Sequence, residues 1–299
     1  MKKENFEKLL NRLEIKYEKR EVIKNNNVVL TGYMIGDKSI KPTIYEDMIE
    51  MNDEVQMIKI LEKAVIGIGN IDDVFNKENV AMKVYIGIRN KEWNKEETNA
   101  ITFDTFFDDY EGYYYLKLED SDCNALGIMN RDEDGTATCI VSHAMLKTLN
   151  MTEKELKENA EKNMLEELSI TSMFDTLREL VQGDEIPFTE NEFEDFVDNS
   201  MYVATNLSKI KGAGVLGSEK CMDMIRKFAI SKNMERFAIL PSSIHEVLIC
   251  KLAPINKKEE LSEMVKEVNQ TQVSRKEWLG EEAHILRLDM NKKFLYEED

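Results

Sequence analysis

Residues 218–231, Ser218-Glu219-Lys220-Cys221-Met222-Asp223-Met224-Ile225-Arg226-Lys227-Phe228-Ala229-Ile230-Ser231, decide the class of fold. Cys221, Met224, Ile225, Phe228 and Ala229 recur at the spacing of a single apolar helix face. On both sides of this helix the pattern changes to short apolar runs. Met201–Asn206 and Gly212–Leu216 precede it and read as a hairpin, while Phe237–Leu240 and Glu246–Lys251 follow it around the turn Pro241-Ser242-Ser243. A further helix from Lys257 carries Leu261, Met264, Val265 and Val268 on one side. Residues 201–299 therefore read as a ββαββα module.

Upstream the same alternation recurs with different punctuation. Phe6, Leu9, Leu10 and Leu13 mark a helix over 4–13, followed by extended runs at 14–23 and 27–35 hinged on Asn25-Asn26-Asn27. Asn tolerates the left-handed backbone of tight hairpin turns, so these runs pair. With a helix over about 52–66, residues 1–80 form an αββα module. Residues 81–168 read as strands at Met82–Ile88, Tyr113–Leu118, Ala125–Asn130 and Thr136–Val141, then two helices. Thr152 and Glu155 supply a capping box for the second of those helices. Residues 169–200 read as an acidic helical connector broken at Gly183 and Pro187. Because strands and helices alike look amphipathic, the expected class is α+β, with antiparallel sheets and helices packed on one face.

Charge is concentrated. The 299 residues carry 40 Lys+Arg and 58 Asp+Glu for a net −18, of which Glu92–Gly135 holds −10 and Asp184–Asp198 holds −7. Such surfaces repel phosphate backbones, which disfavours direct nucleic-acid binding and favours a basic protein partner. Within these windows, Asp104, Asp108 and Asp109, together with Glu192, Glu194 and Asp195, are the candidate acidic binding patch. No apolar run reaches the ~18 residues of a membrane span, and the start shows no apolar signal segment, so a cytoplasmic protein is expected. The four cysteines are dispersed and form no C-x-x-C pair, which reads as buried free thiols, and the three histidines are too scattered for a zinc site.

Three segments resemble chemistry. Gly212-Ala213-Gly214-Val215-Leu216-Gly217 matches G-x-G-x-x-G, but it lies outside any parallel βαβ unit, so no nucleotide cofactor is expected. Asn130–Gly135 opens like a calcium loop, yet the twelfth position is Val141 where a bidentate Glu is required, so no metal is expected there. Ser242, Ser243, His245 and Glu246 bring hydroxyl, imidazole and carboxylate into one stretch, the candidate polar site. Strand geometry sends His245 and Glu246 to opposite faces, and serines after Pro241 cap turns, so a structural role competes with a nucleophile and base.

Several segments together, in order, resemble a known family. They are Val29–Gly32, Lys41–Tyr45, Gly135–Thr138, Met201–Asn206, Ile239–Val247 and Val268–Val273. The series is similar to domain-of-unknown-function family 5688, over about residues 5–290. Lys91–Tyr110 departs from it in being more acidic and polar. The resemblance implies a setting in Firmicutes-type bacteria, often near mobile elements, and no mechanism. The sequence reading is thus a non-catalytic interaction or regulatory protein with acidic surface patches. The alternative is a hydrolase-like or small-ligand-binding enzyme with its site around Ser242–Glu246.

Overall fold

The computed structural model describes all residues except 38–40, 67–73, 96–98, 127–136, 181–200, 290, 292 and 297–299. In chain order the elements are α1 (Lys3–Arg12), β1 (Tyr17–Ile23), β2 (Val29–Ile35), β3 (Thr43–Tyr45), α2 (Glu46–Met51) and α3 (Glu54–Ile66). Then come α4 (Lys77–Lys83), β4 (Val84–Asn90), β5 (Thr102–Asp104), β6 (Tyr110–Leu118), α5 (Asp120–Leu126) and β7 (Ala137–Ile140). They are followed by α6 (His143–Leu149), α7 (Glu153–Glu167), β8 (Leu168–Ser172), α8 (Met173–Leu180) and β9 (Met201–Asn206). The chain continues through α9 (Glu219–Ser231), β10 (Arg236–Leu240), β11 (Val247–Lys251), α10 (Lys258–Gln272), β12 (His284–Leu288) and β13 (Phe294–Tyr296). It divides into two units, residues 1–84 with 115–156 and residues 85–114 with 157–299.

In the first unit β1, β2 and β3 form an antiparallel sheet. Its hairpin turns through Asn26 and Asn27 at φ 58° and 56°, the left-handed backbone that asparagine was expected to supply. The apolar stripe of α1 (Phe6, Leu9, Leu10) closes on Tyr33, Ile35 and Ile44 of the sheet and on Met57 and Leu61 of α3. The capping box at the start of α7 is formed: Thr152 Oγ1 accepts from the Glu155 N–H at 3.2 Å, and the Glu155 carboxylate accepts from the Thr152 N–H at 2.9 Å.

The second unit is built on a six-stranded antiparallel sheet ordered β13-β12-β10-β11-β9-β8. Residues of β10 from Phe237 to Leu240 are buried at both parities. On one face Ala238, Leu240, Cys250 and Ile285 pack with Val265 of α10. On the other, Tyr202 of β9 meets Phe228 of α9 with ring centroids 4.8 Å apart. The α+β class and antiparallel pairing hold, and helices cover both faces of this sheet where one was expected. A further, four-stranded sheet orders β4, β6 and β5, with β7 also paired to β6.

Three local readings are corrected. Residues 168–172 open the expected helical connector as a strand at the edge of the six-stranded sheet, paired with β9. Gly212–Gly217 is a short 3-10 helix and not the second strand of a hairpin. Ala125 and Leu126 close helix α5 and do not begin a strand. The calcium-like loop at 130–135 and the connector's Gly183 and Pro187 lie outside the described residues.

Candidate functional site

The most chemical-looking segment of the sequence is held almost wholly by backbone. Pro241 and Ser242 carbonyls accept from the Gly280 and Leu279 N–H groups at 2.8 and 3.4 Å. Ile244 donates its N–H to the Glu277 carbonyl at 2.8 Å and accepts from the Ala213 N–H at 3.1 Å. The Thr205 hydroxyl donates to the His245 carbonyl at 2.7 Å, and Asn269 of α10 donates its side-chain N–H to the Gly280 carbonyl at 2.7 Å. The segments at 201–206, 239–247 and 268–273 therefore meet at one place.

Within it, Ser243 Oγ accepts from the His245 N–H at 3.0 Å, a turn-capping bond. His245 Nδ1 lies 3.1 Å from the Lys209 carbonyl and 3.4 Å from the Lys211 N–H, so backbone surrounds that nitrogen. Lys209 and Lys211, on either side of it, take positive φ of 54° and 51°. Lys211 then reaches Tyr113, its Nζ donating to the phenol oxygen at 2.8 Å. Among the described residues neither Ser242 nor Ser243 hydrogen-bonds the imidazole, and Glu246 makes no ion pair. The structure thus brings Ser243 and His245 together through a backbone amide. It assembles no nucleophile–base hydrogen bond from the four residues.

The glycine-rich segment is equally occupied. A Cβ on Gly214 would stand 1.8 Å from the Ile86 carbonyl oxygen, and one on Gly212 would stand 2.0 Å from Thr205 Oγ1. These glycines let the 3-10 turn press against β4 and β9. The N-terminus of α9, where a phosphate would sit in a nucleotide fold, is filled by a side chain of the chain itself. The Glu161 carboxylate, 4% exposed, accepts from Ser218 Oγ at 2.5 Å and from the N–H groups of Glu219 and Lys220 at 3.0 and 3.2 Å. Nothing in the sequence marked Glu161, one acid among many on a charged helix.

The β5–β6 hairpin is the opposite case. The Asp104 side chain is 94% exposed and pairs with Lys91 at 2.9 Å. Asp108 and Asp109 are exposed in the connecting turn. Burial, and then the neighbouring carboxylates of Glu282 and Asp108, push the Asp109 carboxyl up, partly offset by Lys258 and Lys91. Glu192, Glu194 and Asp195 lie outside the described residues. Among the described residues no group of histidine, cysteine and carboxylate side chains could hold a metal.

Sequence reading passed over His284. It is 1% exposed in β12 and links two phenols, Nε2 to Tyr110 at 2.8 Å and Nδ1 to Tyr296 at 2.5 Å. Burial holds it neutral, its pKa lowered to about 4, so it accepts from one phenol and donates to the other. Near the Ser242–Glu246 turn, the Arg275 guanidinium lies 4.4 Å from the ring centroids of both Trp93 and Trp278. The Trp278 ring N–H donates to the Val273 carbonyl at 2.8 Å. All four cysteines are free thiols. Burial pushes Cys221 up to about 11 and Cys250 to about 12, which leaves them protonated and unreactive at neutral pH.

These features define an α+β protein of antiparallel sheets. The chain belongs to the family of unknown function DUF5688, which it matches over residues 2–286. No curated protein and no solved structure matches it. Among the described residues, no helix is long and apolar enough to cross a membrane.

Proposed function

We propose that the chain is a non-catalytic interaction or regulatory protein of the cytoplasm that docks a basic partner through its acidic surface. The observation that supports this most is the exposure of Asp104, Asp108 and Asp109 together on the β5–β6 hairpin. Like charges held together cost self-repulsion that an incoming cation relieves, and they speed encounter with a basic surface. The bacterial, mobile-element setting implied by the family resemblance makes a nucleic-acid-binding protein a natural choice of basic partner. The hydrolytic alternative has less behind it, because Ser243 Oγ and His245 Nδ1 are engaged by backbone.

Pull-down from a host lysate at low and high salt, followed by association kinetics, tests the reading. Captured partners should dissociate as salt rises, since exposed charges lose reach as the Debye length falls to ~8 Å at 0.15 M. Neutralising Asp104, Asp108 and Asp109 together, or Glu192, Glu194 and Asp195 together, should slow association. Wild-type rates for both triple variants with every captured partner would overturn it.

A further inference from the structure

We propose that the cavity beside β5 receives an extended basic segment of the partner, which adds to the edge of β5 as a strand and seats one large apolar side chain. This rests on the docking reading above and gives the partner a shape and an anchor.

The cavity is about 260 Å³ and is lined on its apolar side by Phe103, Phe106, Leu216 and Met222. That volume lies below the roughly 300–1,000 Å³ of pockets for drug-sized ligands, and suits one side chain better than a cofactor. Leu216 and Met222 are buried, whereas Phe106 is 45% exposed and leaves apolar surface facing water at the mouth. The charged lining is two carboxylates, Asp104 and Glu219, each paired with a half-exposed ammonium, Lys91 and Lys157. The Glu219 side chain is 81% exposed and pairs with Lys157 at 2.6 Å. Exposed pairs of this kind contribute little net stability, so an incoming lysine or arginine can exchange into them at little cost.

The edge supplies the third element. β5 pairs with β6 through Thr102↔Tyr113, Phe103↔Gly112 and Asp104↔Glu111, and ends that sheet among the described residues. A terminal strand presents backbone N–H and C=O groups that an extended peptide can meet, with alternate side chains falling on one face. A strand laid there sends one residue toward the cavity and places its neighbours two positions away, about 7 Å along, beside the carboxylates. An apolar anchor flanked by basic residues at that period satisfies all three features.

Fluorescence anisotropy with two labelled synthetic peptides tests this on the full chain. One alternates lysine and valine around a central leucine, and the other has glycine in place of the leucine. The leucine peptide should bind, and the glycine peptide should bind at least about tenfold more weakly, as expected for losing one buried aliphatic side chain. Backbone N-methylation at alternate positions of the leucine peptide should weaken it similarly. Met222→Trp, which fills the cavity, should remove the preference for leucine. Phe106→Ser, at an exposed position, should do so if Met222→Trp fails to fold. If neither peptide binds, or both bind alike, the strand-and-anchor proposal is overturned. If both bind alike yet weaken equally in the Asp104, Asp108 and Asp109 triple variant, the charged-face reading survives and only the cavity fails.

Discussion

The turn at Pro241–Glu246 with its neighbour Gly212–Gly217, and the hairpin of β5 and β6, are two ways of spending polar groups. In the first, Ser243 Oγ and His245 Nδ1 engage the backbone, and Glu161 fills the helix end that follows the glycine-rich turn. In the second, carboxylates stand exposed to water, Asp104 paired with Lys91 and Asp109 influenced by both Glu282 and Lys258. The first region should therefore answer to mutation with stability and the second with association. What looks most like a motif is here the most consumed by folding.

The largest effect belongs to Glu161. Glu161→Ala leaves the Ser218 hydroxyl and two N–H groups of α9 without their acceptor, in a site where Ser218 is fully buried. A loss of about 3 kcal/mol is expected in denaturant unfolding, with Glu161→Gln recovering part of it. Full stability in Glu161→Ala would show that the helix end is open to an outside anion after all.

His284 gives the next effect, and it is visible only in acid. Unfolded, this imidazole takes a proton near pH 6.5, whereas folded it does so near 4. Between those values the unfolded chain binds more protons, so stability falls as pH drops, by an amount on the order of 3 kcal/mol. Unfolding curves collected across that range should be steeper in pH for wild type than for His284→Gln. Equal slopes would mean that the ring is protonated in the fold.

Gly214→Ala should cost about 1–3 kcal/mol, the range for forcing a methyl into packed space, because β4 must move away from the turn. A melting temperature unchanged from wild type would contradict the close approach to Ile86. The smallest change in stability, within about ±0.5 kcal/mol, is expected for Asp104, Asp108 and Asp109 changed together to asparagine. If that variant unfolds early instead, the hairpin carboxylates are structural and the contrast between the two regions collapses.

Local signals revealed the elements whose causes are local. The stripe of α1, the asparagine turn, the Thr152–Glu155 box and the periodicity of α9 each announce themselves within a few residues. Gly212–Gly217 does not, because what shapes it is the Ile86 carbonyl, far away in sequence. Strand β8 follows α7 with no turn residue between them, and only its pairing with β9 makes it a strand. The candidate site divided in the same way. Sequence located the Ser242–Glu246 turn, but the Lys209 carbonyl and Lys211 N–H at His245 come from chain folded back on it. Glu161 and His284 owe their roles to burial, which composition alone does not disclose.

The cluster of Arg275 with Trp93 and Trp278 has an optical consequence. The chain has two tryptophans, and both belong to this cluster. Emission excited to the red of the tyrosine band therefore originates at a single spot, beside the turn that carries His245. The chain carries a built-in local probe, needing no label, that reads the surroundings of that turn and stays silent about the rest of the molecule.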